Sequence, residues 1–205
     1  MQSAGHMIVA LTSLALYKPA ASAIRTVIET ALYYTYFRTH HTELATLVRD
    51  NNYFVDKKAI IDYHKIHTVN FKSFQEKLGL LTRLEDSYNS LSAIVHGQLP
   101  GVWTSPSSLS KTVPIQKTRD DVVERFVLGE EVVHRLFLCT IAPTFWDDFS
   151  TASKKALLTG LPGDTKARAV QFSCKLGILS TKLRSRAARH RVLRTFRPPS
   201  ALIKL

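Results

Sequence analysis

Tyr88, Ser92 and His96 recur four residues apart in a chain of 205, a spacing that puts all three on one face of a helix. Histidine titrates near neutrality, and the last turn of a helix favours its cationic form. With Leu84, Leu91, Ile94 and Val95 as neighbouring apolar surface, this ridge can present an acid–base group at the mouth of a helical bundle. The same ridge also reads as a row of polar groups whose hydrogen bonds are satisfied inside the bundle. Arg25 and Glu29 form an i,i+4 pair among Ile24, Ile28 and Leu32, with Tyr33 and Tyr36 following. It is either a surface ion pair or a cation held inside the bundle, facing His96. His40-His41 and His64-x-x-His67 are the other histidine groupings. A His pair at i,i+3 binds a metal only if further ligands arrive, and no partner motif supplies them. The glycine-rich phosphate loop, G-x-S-x-G, H-E-x-x-H and paired-Asp signatures are absent, so neither a metal nor a cofactor is expected.

Positioning these residues falls to helices, since apolar residues recur at helical spacing nearly everywhere. A first helix is expected over 3–17, broken by Lys18-Pro19, and a second over 20–39 with a broad apolar face. A short helix from Thr42 ends at Asn51-Asn52. Asp56 is expected to cap a helix through Ile60, Ile61 and His64, and Asn70 another through Phe74 and Leu78. Thr82-Arg-Leu-Glu85 reads as a capping box opening the helix that ends at His96, with Gly97 as its stop. Residues 98–118 read as a Pro- and Ser-rich loop, and Thr118 opens a long helix through Phe126 and Phe137, followed by Pro143. A shorter helix around 150–159, a turn at Gly160–Gly163 and an amphipathic segment from Thr165 complete the chain, and Pro198-Pro199 ends anything helical. The expected fold is all-α: four to five long helices bundled around one core over 1–160, with short connecting helices and a basic helix or arm over 161–205.

Charge divides the chain. Residues 1–150 carry 15 Lys and Arg against 15 Asp and Glu, whereas 151–205 carry 13 against Asp164 alone, a net of +12 equal to that of the whole protein. Lys182, Arg184, Arg186, Arg189, Arg191, Arg194 and Arg197 suit a polyanion's phosphates, although a solvated tail has the same composition. Few aromatics accompany them, which favours backbone over base contacts. Cys139 and Cys174 make no disulfide framework, consistent with a reduced, cytoplasmic protein. The apolar run Met7–Tyr17 lacks a preceding Lys or Arg and is too short to span a bilayer, so it reads as a core helix.

Two segments resemble a known family. Tyr88-Asn-Ser-Leu91-Ser92-Ala-Ile-Val95-His96-Gly97 is similar to the Y-x-x-L-S-x-x-V-H-G stretch of bacterial HEPN-like helical proteins, and Arg25-x-x-x-Glu29 with the following Tyr36–Glu43 resembles the helix that accompanies it. The resemblance covers residues 20–100. It implies a helical bundle, commonly dimeric, and in many members a metal-independent endoribonuclease of toxin–antitoxin or antiviral defence systems. In such a protein His96 would handle the proton of a ribose 2′-hydroxyl or leaving oxygen while an Arg steadies the phosphate. The family's usual R-x4-6-H motif is missing here, because Asn89, Ser90 and Leu91 stand where its Arg would be. Arg25, projecting across the bundle, is the candidate replacement. Arg184-x5-His190 fits the spacing but lies where Arg is so dense that chance matches are expected. The catalytic set implied is His96, Arg25, Glu29, Tyr88 and Ser92. The partners implied are RNA rather than DNA, and a second copy or a larger complex. The competing reading is a non-catalytic nucleic-acid-binding or scaffolding subunit that works through its basic C-terminal segment.

Overall fold

The computed structural model describes residues 2–98, 103 and 112–167, which are mostly helical, with no strand among them. The helices are α1 (Gln2–Ser13), α2 (Tyr17–Phe37), α3 (His41–Arg49), α4 (Lys57–His67), α5 (Phe71–Leu78), α6 (Leu80–Val95), α7 (Gln116–Thr140), α8 (Ala142–Phe145) and α9 (Thr151–Thr159), with a further helical turn over 163–167. The all-α expectation holds for the described residues. None of these helices is long and apolar enough to cross a membrane.

The organising element is α2. Ala20, Ile24, Ile28, Ala31 and Leu32 recur every three or four residues and are buried, so one face of this helix is apolar along its whole length. It packs against α1, α6 and α7, with α4 and α3 also touching it. The small side chains let its neighbours approach closely. On α7, a Cβ added at Gly129 would sit 3.1 Å from Ile24 Cγ2, so the missing side chain is what admits α2 there. The buried cluster continues through Leu80, Leu84, Leu91 and Ile94 of α6 and Val122, Val132 and Leu136 of α7.

Two polar groups are built into this interior. Arg135 and Glu131, one turn apart on α7, pair where both are buried, and the Arg135 guanidinium also donates to Thr165 Oγ1 at 3.1 Å. That bond, with buried Leu161, fastens the segment after α9 onto α7, so packing continues past residue 160. His64 is equally buried. Its Nε2 lies 3.0 Å from Thr35 Oγ1, which itself donates to the Leu32 carbonyl, and its Nδ1 lies 2.8 Å from Thr68 Oγ1. Thr35 has one proton and has given it away, so His64 Nε2 carries the hydrogen and Nδ1 accepts from Thr68.

Several expected boundaries move, each for a local reason. The first helix ends at Ser13 rather than residue 17. Thr12 and Ser13 turn their hydroxyls back onto the carbonyls of Ile8 and Val9, Ala15 takes a left-handed φ of 55°, and the Leu16 amide bonds the Leu11 carbonyl in a Schellman-type closure. Pro19 therefore falls in the first turn of α2, where a missing amide costs nothing, and is not the break itself. The Thr82–Glu85 capping box does not form. Gly79, at φ 63°, closes α5 and opens α6 in one residue, so Thr82 is already helical and the Arg83 amide bonds the Gly79 carbonyl. Asn70 precedes α5 without a capping side-chain bond, because its left-handed φ of 59° is not the extended conformation a cap requires. α7 opens at Gln116, two residues early, where the Tyr17 hydroxyl accepts the Ile115 amide at 3.0 Å and donates to the Ile115 carbonyl at 3.3 Å. Asp56 does cap α4, accepting the Ala59 amide, and Ser150 caps α9 in the same way.

Candidate functional site

Where α6 lies along α2, the ridge of one helix meets the ion pair of the other. Burial of Leu84 and Leu91, one turn to either side, leaves Tyr88 leaning onto Arg25 and Glu29. Arg25 Nε donates to Glu29 Oε1 at 2.9 Å, its Nη2 donates to the Tyr88 hydroxyl at 2.7 Å, and that hydroxyl donates to the same Glu29 oxygen at 2.9 Å. The loop closes on itself, so each member fixes the other two. Burial would lower the Arg25 pKa, but the Glu29 carboxylate and Tyr88 outweigh it and hold the guanidinium above its ordinary value. Burial raises the Tyr88 phenol, and its bond to Glu29 adds to the effect, so it keeps its proton as a donor.

The third guanidinium nitrogen has another neighbour. Arg25 Nη1 lies 3.4 Å from His96 Nε2. A guanidinium only donates, so a hydrogen bond here is one that Nε2 accepts. The bond is long, at the outer edge of hydrogen-bond distance, so an incoming oxygen can displace it at little cost. His96 is exposed because α6 stops there. Gly97 takes φ 69°, which only glycine adopts freely, and turns the chain away from the ring. The Lys18 ammonium, seven residues before Arg25 on α2, lies 3.8 Å from where a Cβ on Gly97 would be, so a second cation stands at the end of α6.

Four of the five residues singled out from sequence therefore converge: Arg25, Glu29, Tyr88 and His96. Ser92 lies between Tyr88 and His96 on the same ridge, but its hydroxyl is buried and makes no hydrogen bond among the described residues. It is not joined to the other four. Among the described residues no group of three or more His, Cys, Asp or Glu could hold a metal, and two of the four histidines considered as ligands are engaged elsewhere. Both ring nitrogens of His64 are engaged by threonines, and His40 stacks on Tyr36 at 4.0 Å with its Nδ1 against the Tyr36 carbonyl. The basic residues Lys182, Arg184, Arg186, Arg189, Arg191, Arg194 and Arg197, like the Arg184–His190 pair, lie outside the described residues.

Sequence reading missed the cleft beside the cluster. It is about 300 Å³, lined by Arg25, Glu29 and Tyr33 of α2, Tyr88 of α6, and Phe54, Asp56 and Lys57 at the start of α4. Lys57 opens α4 directly after its Asp56 cap and holds its ammonium 4.3 Å from the centre of the Tyr88 ring. The Asp56 cap was the available signal, since it fixes where α4 starts and so where Lys57 projects. The chain matches no known family model, no curated protein and no solved structure.

Proposed function

We propose that this protein is a HEPN-like effector that cleaves RNA without a metal, with Arg25 of α2 standing in for the arginine missing from the α6 motif. The observation that carries this reading is the 3.4 Å approach of a permanently charged guanidinium to the Nε2 of an exposed imidazole. In the reaction, His96 takes the proton of the ribose 2′-hydroxyl as that oxygen bonds to phosphorus and the bond to the 5′-oxygen breaks. The departing 5′-oxygen takes up a proton from solvent, leaving a 2′,3′-cyclic phosphate. Arg25 stabilises the charge that builds on the non-bridging oxygens. Glu29 and Tyr88 are positioning residues, which hold the guanidinium in one orientation without touching the reacting atoms. The bundle fold, a homodimer or larger complex, and a place in bacterial defence or toxin–antitoxin systems belong to this same proposal, through the family resemblance. The test is RNA cleavage by the full chain in a chelator. His96→Ala should lower the rate about 100- to 10,000-fold, the range for loss of a general acid–base group. Cleavage by correctly folded His96→Ala at the wild-type rate would eliminate the enzyme reading.

A second reading rests on the +12 charge of residues 151–205. On this view the protein is a nucleic-acid-binding subunit, the C-terminal segment supplies affinity by releasing counterions, and the helical body supplies shape.

A further inference from the structure

We infer that the cleft between Tyr33, Phe54, Lys57 and Tyr88 is a subsite for one nucleotide, whose base is unstacked from its strand and lies against Phe54 while its phosphate is held between Lys57 and Arg25. This inference rests on the reading of Arg25 and His96 as the phosphate-handling pair, and extends it to residues that reading does not use. Three observations carry it. Phe54 is 72 % exposed, in the loop between α3 and α4 beside buried Val55. An aromatic ring left in water at the rim of a charged cleft offers a stacking face that the core does not need. Lys57 has no carboxylate partner among the described residues and rests on the Tyr88 ring, so its charge is free to meet an anion. Size sets the limit on the ligand. A volume of about 300 Å³ is at the lower end of small-ligand pockets, which suits one base and its sugar but not a duplex.

Arg25 joins the base cleft to the active imidazole, because it lines the cleft and also reaches His96 Nε2, so a backbone held by Lys57 and Arg25 would bring its next phosphate toward that ring. The chemistry recognised is an aromatic base joined to a phosphate, which a free mononucleotide and a nucleotide within a single strand both provide.

Direct binding tests this. The full chain is titrated with a fluorescent single-stranded oligoribonucleotide carrying one 2′-deoxy residue to block cleavage, with the same oligomer made abasic at the neighbouring position, and with adenosine monophosphate. Phe54→Ala removes an exposed side chain and spares the core. It should weaken binding of the intact oligomer about 5- to 100-fold, the range for losing one stacked base, and the abasic oligomer should bind wild type and Phe54→Ala alike. Lys57→Gln should weaken both oligomers together. Phe54-dependent binding of the monophosphate would assign the subsite to free nucleotides as well as strands, and failure of the monophosphate with success of the oligomer would assign it to strands. The inference is overturned if Phe54→Ala binds the intact oligomer as wild type does, or if the abasic residue costs the variant as much as it costs wild type. Cleavage separates the two claims. Loss of cleavage in His96→Ala with normal binding by Phe54→Ala removes the subsite alone. Phe54-dependent binding with cleavage unaffected by His96→Ala removes the nuclease alone.

Discussion

At the scale of single residues, Arg25, Glu29 and Tyr88 hold one another in place. Tyr88→Phe deletes the hydroxyl that joins Arg25 to Glu29 and leaves the ring in contact with Lys57. We expect it to lower kcat about tenfold with little change in KM, as suits a group that orients the guanidinium without binding substrate. Equal kinetics for Tyr88→Phe and wild type would show that Arg25 needs no such support. His64 makes a prediction of a different kind. Burial, then the charges of Arg38 and His40, push its pKa down to about 4, against an ordinary value near 6.5. Above pH 6.5 both the folded and unfolded chains hold the ring neutral, and its contribution to stability is complete. As the pH falls toward 4, the unfolded chain gains a proton that the folded chain refuses, and each pH unit costs about 1.4 kcal/mol. Urea midpoints measured from pH 7 to 4 should fall more steeply for wild type than for His64→Gln, and parallel curves would contradict this. Residue identity and spacing made the catalytic candidates legible. Tyr88 and His96 share a ridge because four-residue spacing says so, and Arg25 pairs with Glu29 for the same reason. Nothing in the spacing showed that the two pairs face one another, because that depends on how α6 lies against α2. Ser92 shows the limit of the periodicity argument: the right face of the right helix, yet a hydroxyl sealed away from the other four.

At the scale of elements, the fold depends on how helices end and on what α7 buries. Helix existence followed from apolar periodicity, and Asp56 and Gly97 act as their residue types suggest. Starts were less legible. Gly79 pre-empts the Thr82 cap by serving two helices at once, and Ala15 takes a left-handed turn that a propensity argument reserves for glycine. Both outcomes come from packing that fixes the path of the chain before local preference is heard. The buried Glu131–Arg135 pair is the element-scale test. Glu131→Ala strands a buried guanidinium, with only Thr165 left to receive it, and should cost about 3–5 kcal/mol in chemical denaturation. A loss below about 1 kcal/mol would mean that the pair contributes little to holding α7 and the 163–167 turn together. Gly129 could be read from sequence only as a mid-helix glycine. Its use, admitting Ile24, depends on the crossing of α2 and α7.

At the scale of the whole molecule, a balanced helical body carries a strongly basic C-terminal segment, and the two should separate in salt dependence. Seven basic residues between Lys182 and Arg197, all engaging phosphates of single-stranded RNA, give a slope of log K against log salt of about −5. Replacing Arg184, Arg186, Arg189 and Arg191 by Gln in the full chain should reduce its magnitude by about 3. An unchanged slope would take the segment out of RNA binding, whereas the chemistry at His96 would be untouched. That chemistry is best measured by a mutant cycle for cleavage of a single-stranded RNA in chelator, comparing wild type, Arg25→Ala, His96→Ala and the double variant. If the two residues act as one unit on the same phosphate, each single change lowers kcat/KM at least about 100-fold, the double change adds little more, and a 2′-deoxy residue at the cleaved position abolishes the reaction. Independent, multiplying losses, or cleavage that persists through the 2′-deoxy position, would contradict the account.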